Sequence, residues 1–354
     1  MPLRWSWTGS PTGACDLSLF SYAAAQGYIR ARLSRLLDRA TWARLLEVNS
    51  SLELGRLLGQ TPLAAAVTDD GAIVLHALRG EVATAGRALA RFLPRTSGQL
   101  LACYNQRFEI ENLKTVLRTI HYQLERPRAL ASLIPLGDTQ WRWEALVETG
   151  SVAAIVDQIR DSPYAGPLEN AMERYQQERR LFFLEVALDL FYFQKLVRLI
   201  ESQGGKDAAD ARRFLGRWIA VQNLLWAYRF RIYGRMTPEE IINYTLHRAF
   251  AAGLDTVRRV ALGSPLAVEA GRLGFRLSPG LSEVEALTEI EILAERERFQ
   301  HATAAIGRPL FHLGGTLAYL WLLESELRDL TVIVEGKATG LTGAEIAPRL
   351  LRAA

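Results

Sequence analysis

Apolar residues recur at helical spacing along most of the chain. Between residues 28 and 48, one side of the segment is lined by Ile29, Leu33, Leu36, Leu37, Leu45 and Leu46. Steps of three and four residues predict an amphipathic helix. The same pattern predicts helices at 84–95, 99–123, 166–202, 207–232, 238–252, 283–305, 309–335 and 342–352. Residues 72–78 could form a strand, but one short run cannot make a sheet, so the sequence predicts an all-α fold.

The composition is that of a globular chain. Of 354 residues, 49% are hydrophobic and 23% charged, and the length predicts two or three domains. Cys15 and Cys103 form no CxxC pair, which indicates a reducing compartment rather than a disulfide scaffold. The longest uncharged stretch, 309–323, is shorter than the roughly 20 residues of a membrane span, and no signal peptide is evident. No direct lipid insertion is expected.

A hydroxyl-proline motif occurs three times. Its prolines are Pro62, Pro163 and Pro265, which are 101 and 102 residues apart, and each follows Thr or Ser. A single motif could recur by chance. A second, different motif follows each proline at nearly the same period, and two motifs repeated in the same order are hard to attribute to chance.

The second motif is an apolar helical segment with one polar residue. It lies at 108–118, 219–229 and 322–333, and its polar residues, Asn112, Asn223 and Asp329, are 111 and 106 residues apart. A third echo, 234–241 and 336–346, follows the last two copies. The chain is therefore predicted to contain three helical repeat units, at 1–125, 126–247 and 248–354.

Sequence signatures of catalysis are missing. Gly205-Lys206 and Gly336-Lys337 both lack the first glycine and the hydroxyl residue of a phosphate loop. No HExxH, paired ExxH or GxSxG motif occurs. Glu297 and His301 share a helix face, but a solvated pair is the simpler interpretation than a metal site. We therefore expect no catalytic, cofactor or metal site.

Several polar residues nevertheless interrupt apolar helices. They are Asn112, Asp189, Asn223, Glu324, Glu326 and Asp329. Buried polar groups need partners, so the first interpretation is a hydrogen-bonded position that fixes how helices align. A partner-facing position is the alternative, while a catalytic carboxylate cluster is opposed by the lack of a nucleophile. The arginines of 212–235 are interpreted as a solvated face or a surface for an acidic partner, and the net charge of +4 does not indicate nucleic acid.

These segments resemble the C subunit of V/A-type rotary ATPases, which is called the d subunit in the eukaryotic complex. The resembling segments are 22–37, 61–63, 108–118, 184–196, 221–234 and 317–341. The last is the most specific, although Asp329 stands where the family usually has Asn and Leu323 where it often has Lys. Asp329 therefore needs a partner, for which Arg308 and the neighbours of Arg328 are candidates. Residues 1–19 match no known pattern.

The resemblance implies a funnel of three similar helical domains around a pseudo-threefold axis. Such a funnel caps the cytoplasmic side of the membrane proteolipid ring, receives the foot of the rotor axle in its cavity and transmits torque. It implies a peripheral, non-catalytic rotor adaptor whose partners are the axle subunits and the ring. The candidates for structural or interface roles are Asn112, Arg118, Asp189, Tyr192, Asn223, Arg229, Glu324, Glu326, Asp329 and Gly336. A free-standing α-helical repeat scaffold is the alternative function.

Overall fold

The computed structural model describes residues 15–48, 50–68, 71–137, 140–307 and 311–353. Helices make up 74% of the structure, and no strand occurs in these ranges, so the predicted all-α class is confirmed. The helices are α1 Cys15–Leu33, α2 Arg39–Glu47, α3 Ser51–Leu58, α4 Leu75–Phe92, α5 Arg95–Asn105, α6 Arg107–His121, α7 Arg126–Ser132, α8 Trp143–Val147, α9 Val152–Gln158, α10 Ala165–Glu178, α11 Phe182–Glu201, α12 Gly205–Ala211, α13 Arg217–Ile232, α14 Pro238–Asn243, α15 Leu254–Ala261, α16 Leu266–Arg272, α17 Glu283–Ile306, α18 Leu313–Ala338 and α19 Gly343–Ile346.

Several predicted helices are divided, which corrects the sequence-based boundaries, and two of the breaks have a clear local cause. The segment 28–48 breaks before α2, because Asp38 adopts an extended backbone and its carboxylate accepts a hydrogen bond from Thr41 N. The segment 166–202 breaks at Arg179, whose φ of 54° is left-handed and ends α10.

Other boundaries also differ from the prediction. The segment 99–123 is divided between α5 and α6 at Gln106, and 207–232 contains a π-helical turn at Arg212–Gly216. The segment 238–252 keeps only the short α14 and a 3₁₀ turn at Phe250–Ala252. Within 72–78, Ile73 makes one isolated bridge to Val67 before α4 begins, so no strand forms there.

The long helix α18 runs through the centre of the core. Residues 313–322 are all buried, and the helix packs against α1, α4, α12 and α17. Farther along, Leu330 and Ile333 join a second apolar cluster with Trp42, Leu45 and Leu54 from the first helices. Elements from the start, middle and end of the chain are therefore held together on one helix by apolar burial.

Candidate functional site: three anchor helices and their hub

Asn112 and Asn223 each fix a distant backbone residue. Asn112 accepts a hydrogen bond from Ile134 N at 2.8 Å and donates one to Ile134 O at 2.8 Å. Asn223 accepts from Leu246 N at 2.7 Å and donates to Leu246 O at 2.9 Å. The fixed residue lies 22 or 23 positions after the asparagine, and both side chains are buried. The prediction that both asparagines are hydrogen-bonded within the fold is confirmed.

Asp329 makes the corresponding contact, but through a carboxylate, which only accepts hydrogen bonds. Its carboxylate accepts from Leu351 N at 2.9 Å, 22 positions later, and from Arg352 N at 3.3 Å. Arg328 Nη1 lies 3.2 Å from the carboxylate, while Arg308, the other expected partner, is outside the described residues. Burial raises the pKa of Asp329, and the backbone amide of Leu351 opposes that shift. We call Asn112, Asn223 and Asp329 the anchor residues and α6, α13 and α18 the anchor helices.

The chain also turns in a similar way after each anchor helix. A residue with left-handed φ stands 11 or 12 positions after the anchor residue: Gln123, Arg235 and Gly340. A short helix then follows, α7, α14 or α19, before the fixed backbone residue. The third echo noted in the sequence therefore has a local counterpart in the first unit as well, in α7.

The hydroxyl-proline motifs are less uniform. Thr61 Oγ1 accepts from Leu63 N, and Ser162 Oγ accepts from Tyr164 N, each at 3.2 Å. Ser264 instead donates to Glu269 at 2.8 Å. The first two motifs share a local geometry that the third does not.

Each anchor helix contributes one side chain to a common cluster. In each case this side chain belongs to the residue five positions before the anchor residue. These side chains are Arg107, Trp218 and Glu324. Glu324 forms an ion pair with Arg107, accepts a hydrogen bond from Tyr104 at 2.9 Å, and pairs with Arg298 of α17 at 2.9 Å. The guanidinium of Arg298 also lies 5.8 Å from the ring centre of Trp218. We call Tyr104, Arg107, Trp218, Arg298 and Glu324 the hub.

Aromatic contacts complete the hub. Arg107 lies over the Tyr104 ring at 3.9 Å, and Trp321 donates to Tyr104 Oη at 3.1 Å. Tyr192 donates to Tyr104 O at 3.1 Å, which connects α11 to the same point. Burial alone would raise the pKa of Glu324, but Arg107 and Arg298 outweigh it, so the pKa lies below its usual value and the carboxylate stays ionised.

From the hub, one face of each anchor helix continues toward its C-terminal end at helical spacing. These hub-side faces consist of Glu111, Thr115, Arg118 and Tyr122 on α6, of Gln222, Trp226, Arg229 and Tyr233 on α13, and of Arg328, Val332, Glu335 and Thr339 on α18. Exposure rises with distance from the hub, and Tyr122 and Tyr233 are each 60% exposed. A cavity of about 360 Å³ lies beside the hub, and its lining includes Trp218, Gln222, Arg229 and Arg328.

Comparison with known sequences identifies the family of this chain. The profile of the ATP synthase (C/AC39) subunit family matches residues 25–349. The chain belongs to the ATP synthase (C/AC39) subunit family. Membership makes it a subunit of a rotary ATP synthase and a structural rather than a catalytic one, as the sequence predicted.

Similar proteins from archaea align with nearly the whole of this C/AC39 chain. The C subunit of the A-type ATP synthase of Methanocaldococcus jannaschii is 27% identical over 95% of this chain and 87% of its own length. That of Methanothermobacter thermautotrophicus is 23% identical over 91% and 85%, and that of Methanosarcina acetivorans is 23% identical over 94% and 93%.

Ion pairs connect the anchor helices of this C/AC39 protein to flanking helices. Arg118 binds Glu185 of α11 through two contacts of 2.6 and 3.0 Å. Arg229, which like Arg118 lies six positions after its anchor residue, pairs with Glu291 of α17. Asp189 pairs with Lys114, beside the first of these contacts. Burial raises the pKa of Asp189, and Lys114 opposes the shift. The structure thus brings Arg118 and Asp189 to one helix pair.

Glu326 and Gly336 lie on α18, away from the hub. Glu326 is buried, and its carboxylate accepts from Leu37 N at 2.8 Å. Gly336 packs against Ile346 of α19, where a Cβ atom would lie 2.8 Å from a side-chain carbon. Both residues connect α18 to short neighbouring segments.

Glu297, which shares a helix face with His301, has a structural partner. Glu297 binds Arg217 through contacts of 3.0–3.1 Å. Within the described ranges, no three His, Cys, Asp or Glu side chains are grouped as metal ligands, and none of the helices there combines the length and apolarity that a bilayer span requires. Sequence reasoning missed Arg107, Arg298 and Tyr104, because their partners lie on other helices and no local pattern marks them.

Proposed function

We propose that this chain is the rotor adaptor of its ATP synthase, joining the central axle to the membrane proteolipid ring. In this role it transmits torque between ATP chemistry and the movement of H⁺ or Na⁺, and it catalyses nothing itself. The observation that carries the proposal is the convergence of three corresponding helices on one hub, whose ion-paired side chains are largely shielded from solvent. Faces of increasing exposure that extend from such a hub suit the wall of a funnel.

The arrangement we propose is three units, 1–125, 126–247 and 248–354, around a pseudo-threefold axis. The three anchor contacts support it, because each joins a central helix to a backbone residue 22 or 23 positions later. Such contacts stiffen each unit, since each pairs a buried side chain with the backbone of a distant segment. A stiff body is what torque transmission requires of a non-catalytic part.

Two interfaces are needed, one for the axle and one for the ring. If they are obligate, we expect each to bury on the order of 2,000 Å² or more. The chain carries a net charge of +4, so association with acidic partner surfaces is expected to weaken at high salt. The chain would then reside on the cytoplasmic face of the membrane through these partners.

The test is to prepare membranes with and without this chain and to measure ATP hydrolysis and ATP-driven ion pumping on the same sample. We expect loss of pumping, and release of the ATP-hydrolysing sector from the membrane, when the chain is absent. Adding the purified chain back should restore both. Pumping at an unchanged rate without the chain would contradict the proposal.

A pull-down from membranes distinguishes the alternative function. Co-purification of axle and ring subunits supports the adaptor. Recovery of the chain with other proteins, and with no ATP synthase subunit, would favour a free-standing helical scaffold.

A further inference from the structure

We propose that the groove between α4 and α5 is a docking site for an acidic helix of a partner protein. The groove extends to the start of α6, has a volume of about 660 Å³ and is lined in part by Arg87, Arg91 and Arg95. The proposal goes beyond the rotor adaptor, because it concerns a surface that neither the hub nor the hub-side faces include.

The groove lies on the side of α6 that faces away from the hub. Gln106 and Glu109 line the groove, whereas Arg107 belongs to the hub and Glu111 to the hub-side face. Successive residues of a helix are rotated by about 100°, so these two pairs of side chains point in nearly opposite directions. An occupant of the groove would therefore not reach the hub.

Positive charge dominates the lining of the groove. Arg87 and Arg91 lie one helical turn apart on α4, and Arg95 begins α5. Arg87 donates a hydrogen bond to Thr84 Oγ1 at 3.2 Å. Arg91 and Arg95 are exposed, and within the described ranges neither of them forms an ion pair or a side-chain hydrogen bond. These two guanidinium groups are therefore available to the carboxylates of a partner.

One acidic residue is among the described residues that line the groove, and its carboxylate is already engaged. Glu109 accepts a hydrogen bond from Tyr164 Oη at 2.6 Å and another from Trp141 Nε1. Burial raises the pKa of Glu109, and the hydrogen bond from Tyr164 opposes that shift. Both hydrogen-bond donors are neutral, so Glu109 is held in place without neutralising the arginines of the groove.

Amide side chains add further hydrogen-bond donors. Gln106 Oε1 accepts from Lys195 Nζ at 3.0 Å, which leaves the Gln106 amide N–H groups to donate. Gln99 is exposed on α5 within the same lining. Guanidinium and amide N–H groups together suit an occupant rich in acceptors, and guanidinium groups bind carboxylates with particular strength.

The shape of the groove favours a helix as the occupant. Small residues, Ala90, Gly98 and Ala102, lie between the polar side chains. A Cβ atom at Gly98 would lie 2.7 Å from Ala90 O, so α4 and α5 approach closely there. A third helix can lie along two helices packed in this way. Carboxylates one turn apart on that helix match the one-turn spacing of Arg87 and Arg91.

Peptide binding to the purified full chain tests the proposal. The probes are two fluorescein-labelled, alanine-rich helical peptides of identical composition. In one, the glutamates are four residues apart and share a helix face, and in the other they are distributed around the helix. Fluorescence anisotropy should show binding on the order of tenfold tighter for the peptide with the acidic face, and this binding should weaken as salt is added.

Charge reversal identifies the surface that binds. Arg91→Glu combined with Arg95→Glu should abolish the preference for the acidic-face peptide. The matched control is Arg126→Glu combined with Arg128→Glu, which makes the same change of charge at exposed positions of α7 outside the groove lining. Circular dichroism verifies that both variants fold. An equal loss of affinity in the two variants would mean that only net charge matters, and would overturn the groove assignment.

Two further outcomes would also overturn the proposal. Equal affinity of the native chain for the two peptides, or binding of neither, would exclude recognition of an acidic helix face. Vesicles of phosphatidylcholine and phosphatidylglycerol in equal amounts are the second probe. Binding of these vesicles that requires Arg91 and Arg95, without discrimination between the peptides, would assign the groove to lipid headgroups instead. Each of these outcomes leaves the rotor adaptor to its own test.

Discussion

Asp329 holds the backbone amide of Leu351 at 2.9 Å, in the place where Asn112 and Asn223 hold Ile134 and Leu246. The asparagines also donate to the carbonyl of the residue they fix, which an ionised carboxylate cannot do. Asp329 instead accepts a second backbone N–H, from Arg352. The carboxylate therefore pairs with two backbone N–H groups, whereas each asparagine pairs with the N–H and the carbonyl of one residue.

The anchors should contribute measurably to stability, and Asn223 offers the clearest test. Asn223→Leu leaves Leu246 N, Leu246 O and Ala252 O without the side-chain partner that each has now. An unsatisfied buried polar group costs about 1–3 kcal/mol. We therefore expect the free energy of unfolding, measured by urea denaturation, to fall by at least the cost of one unsatisfied group, about 1–3 kcal/mol.

Gln222→Leu is the matched control for that experiment. The substitution is of the same type on the same helix, but Gln222 is only half-buried. Its free energy of unfolding should change by less than about 0.5 kcal/mol. A melting temperature of Asn223→Leu equal to that of the native chain would mean that the anchor contact contributes nothing to the fold.

The hub ion pair should show strong coupling in a double-mutant cycle. Glu324→Gln leaves Arg107 and Arg298 facing each other without a full counter-charge, and breaking a buried pair in this way typically costs about 3–5 kcal/mol. Arg107→Met combined with Glu324→Gln should cost less than the sum of these two changes made singly. The difference, measured by urea denaturation, gives the coupling energy.

Arg79 and Glu111 provide an exposed pair for comparison. Their side chains are 46% and 45% exposed, and the coupling of such pairs is typically about 0–1 kcal/mol. Coupling in the hub no greater than in this pair would show that the hub residues are solvated and do not hold the anchor helices together.

Sequence and structure agree where the signal is local. Asn112 and Asn223 could be identified because a lone amide within an apolar helix must find a partner close by, and each does so within 23 residues. Asp38 could also have been identified, since an N-cap residue before a helical turn predicts the break that separates α1 from α2.

The hub could not be predicted, because its partners are far apart in the chain. Glu324 stands 217 residues from Arg107 and 26 from Arg298, and neither spacing is a helical period. The break at Arg179 was missed for another reason. Left-handed backbone usually occurs at glycine or asparagine, and an arginine at that position does not indicate the end of a helix.

Two glycines should respond in opposite ways to alanine. A Cβ atom at Gly343 would lie 2.3 Å from Leu46 O, a backbone atom that also accepts a hydrogen bond from Lys337 at 2.8 Å. Gly343→Ala should therefore destabilise the chain by about 1–3 kcal/mol, as overpacking does. At Gly271 in α16 no atom is within reach of a Cβ, so Gly271→Ala should stabilise by about 0.5–1 kcal/mol. Thermal unfolding followed by circular dichroism measures both, and equal shifts would contradict the close approach of α19 to α2.

Glu326 is buried between α18 and the segment that leads into α2. Its carboxylate accepts from Leu37 N at 2.8 Å, and Arg352 lies 3.9 Å away. Burial, with smaller contributions from Asp329 and Glu81, raises its pKa from 4.5 to about 7, although Leu37 N and Arg352 oppose the shift. The folded chain therefore binds a proton at Glu326 more readily than the unfolded chain does. It follows that stability from this group is present below pH 4.5 and is lost as the pH rises toward about 7.

Glu326→Gln should remove this pH dependence while keeping an oxygen that can accept from Leu37 N. A shift of this size corresponds to about 3 kcal/mol across the window, so the variant should gain that much over the native chain at pH 8 relative to pH 4.5. Urea denaturation at several pH values measures the difference, and groups common to both proteins, such as His76 and His301, cancel in it. Glu345→Gln is the control: backbone hydrogen bonding at Thr342 lowers the pKa of Glu345, so its titration lies below the window and the slope should not change. Parallel stability profiles for the native chain and Glu326→Gln would mean that Glu326 is ionised at little cost and that water reaches it in solution.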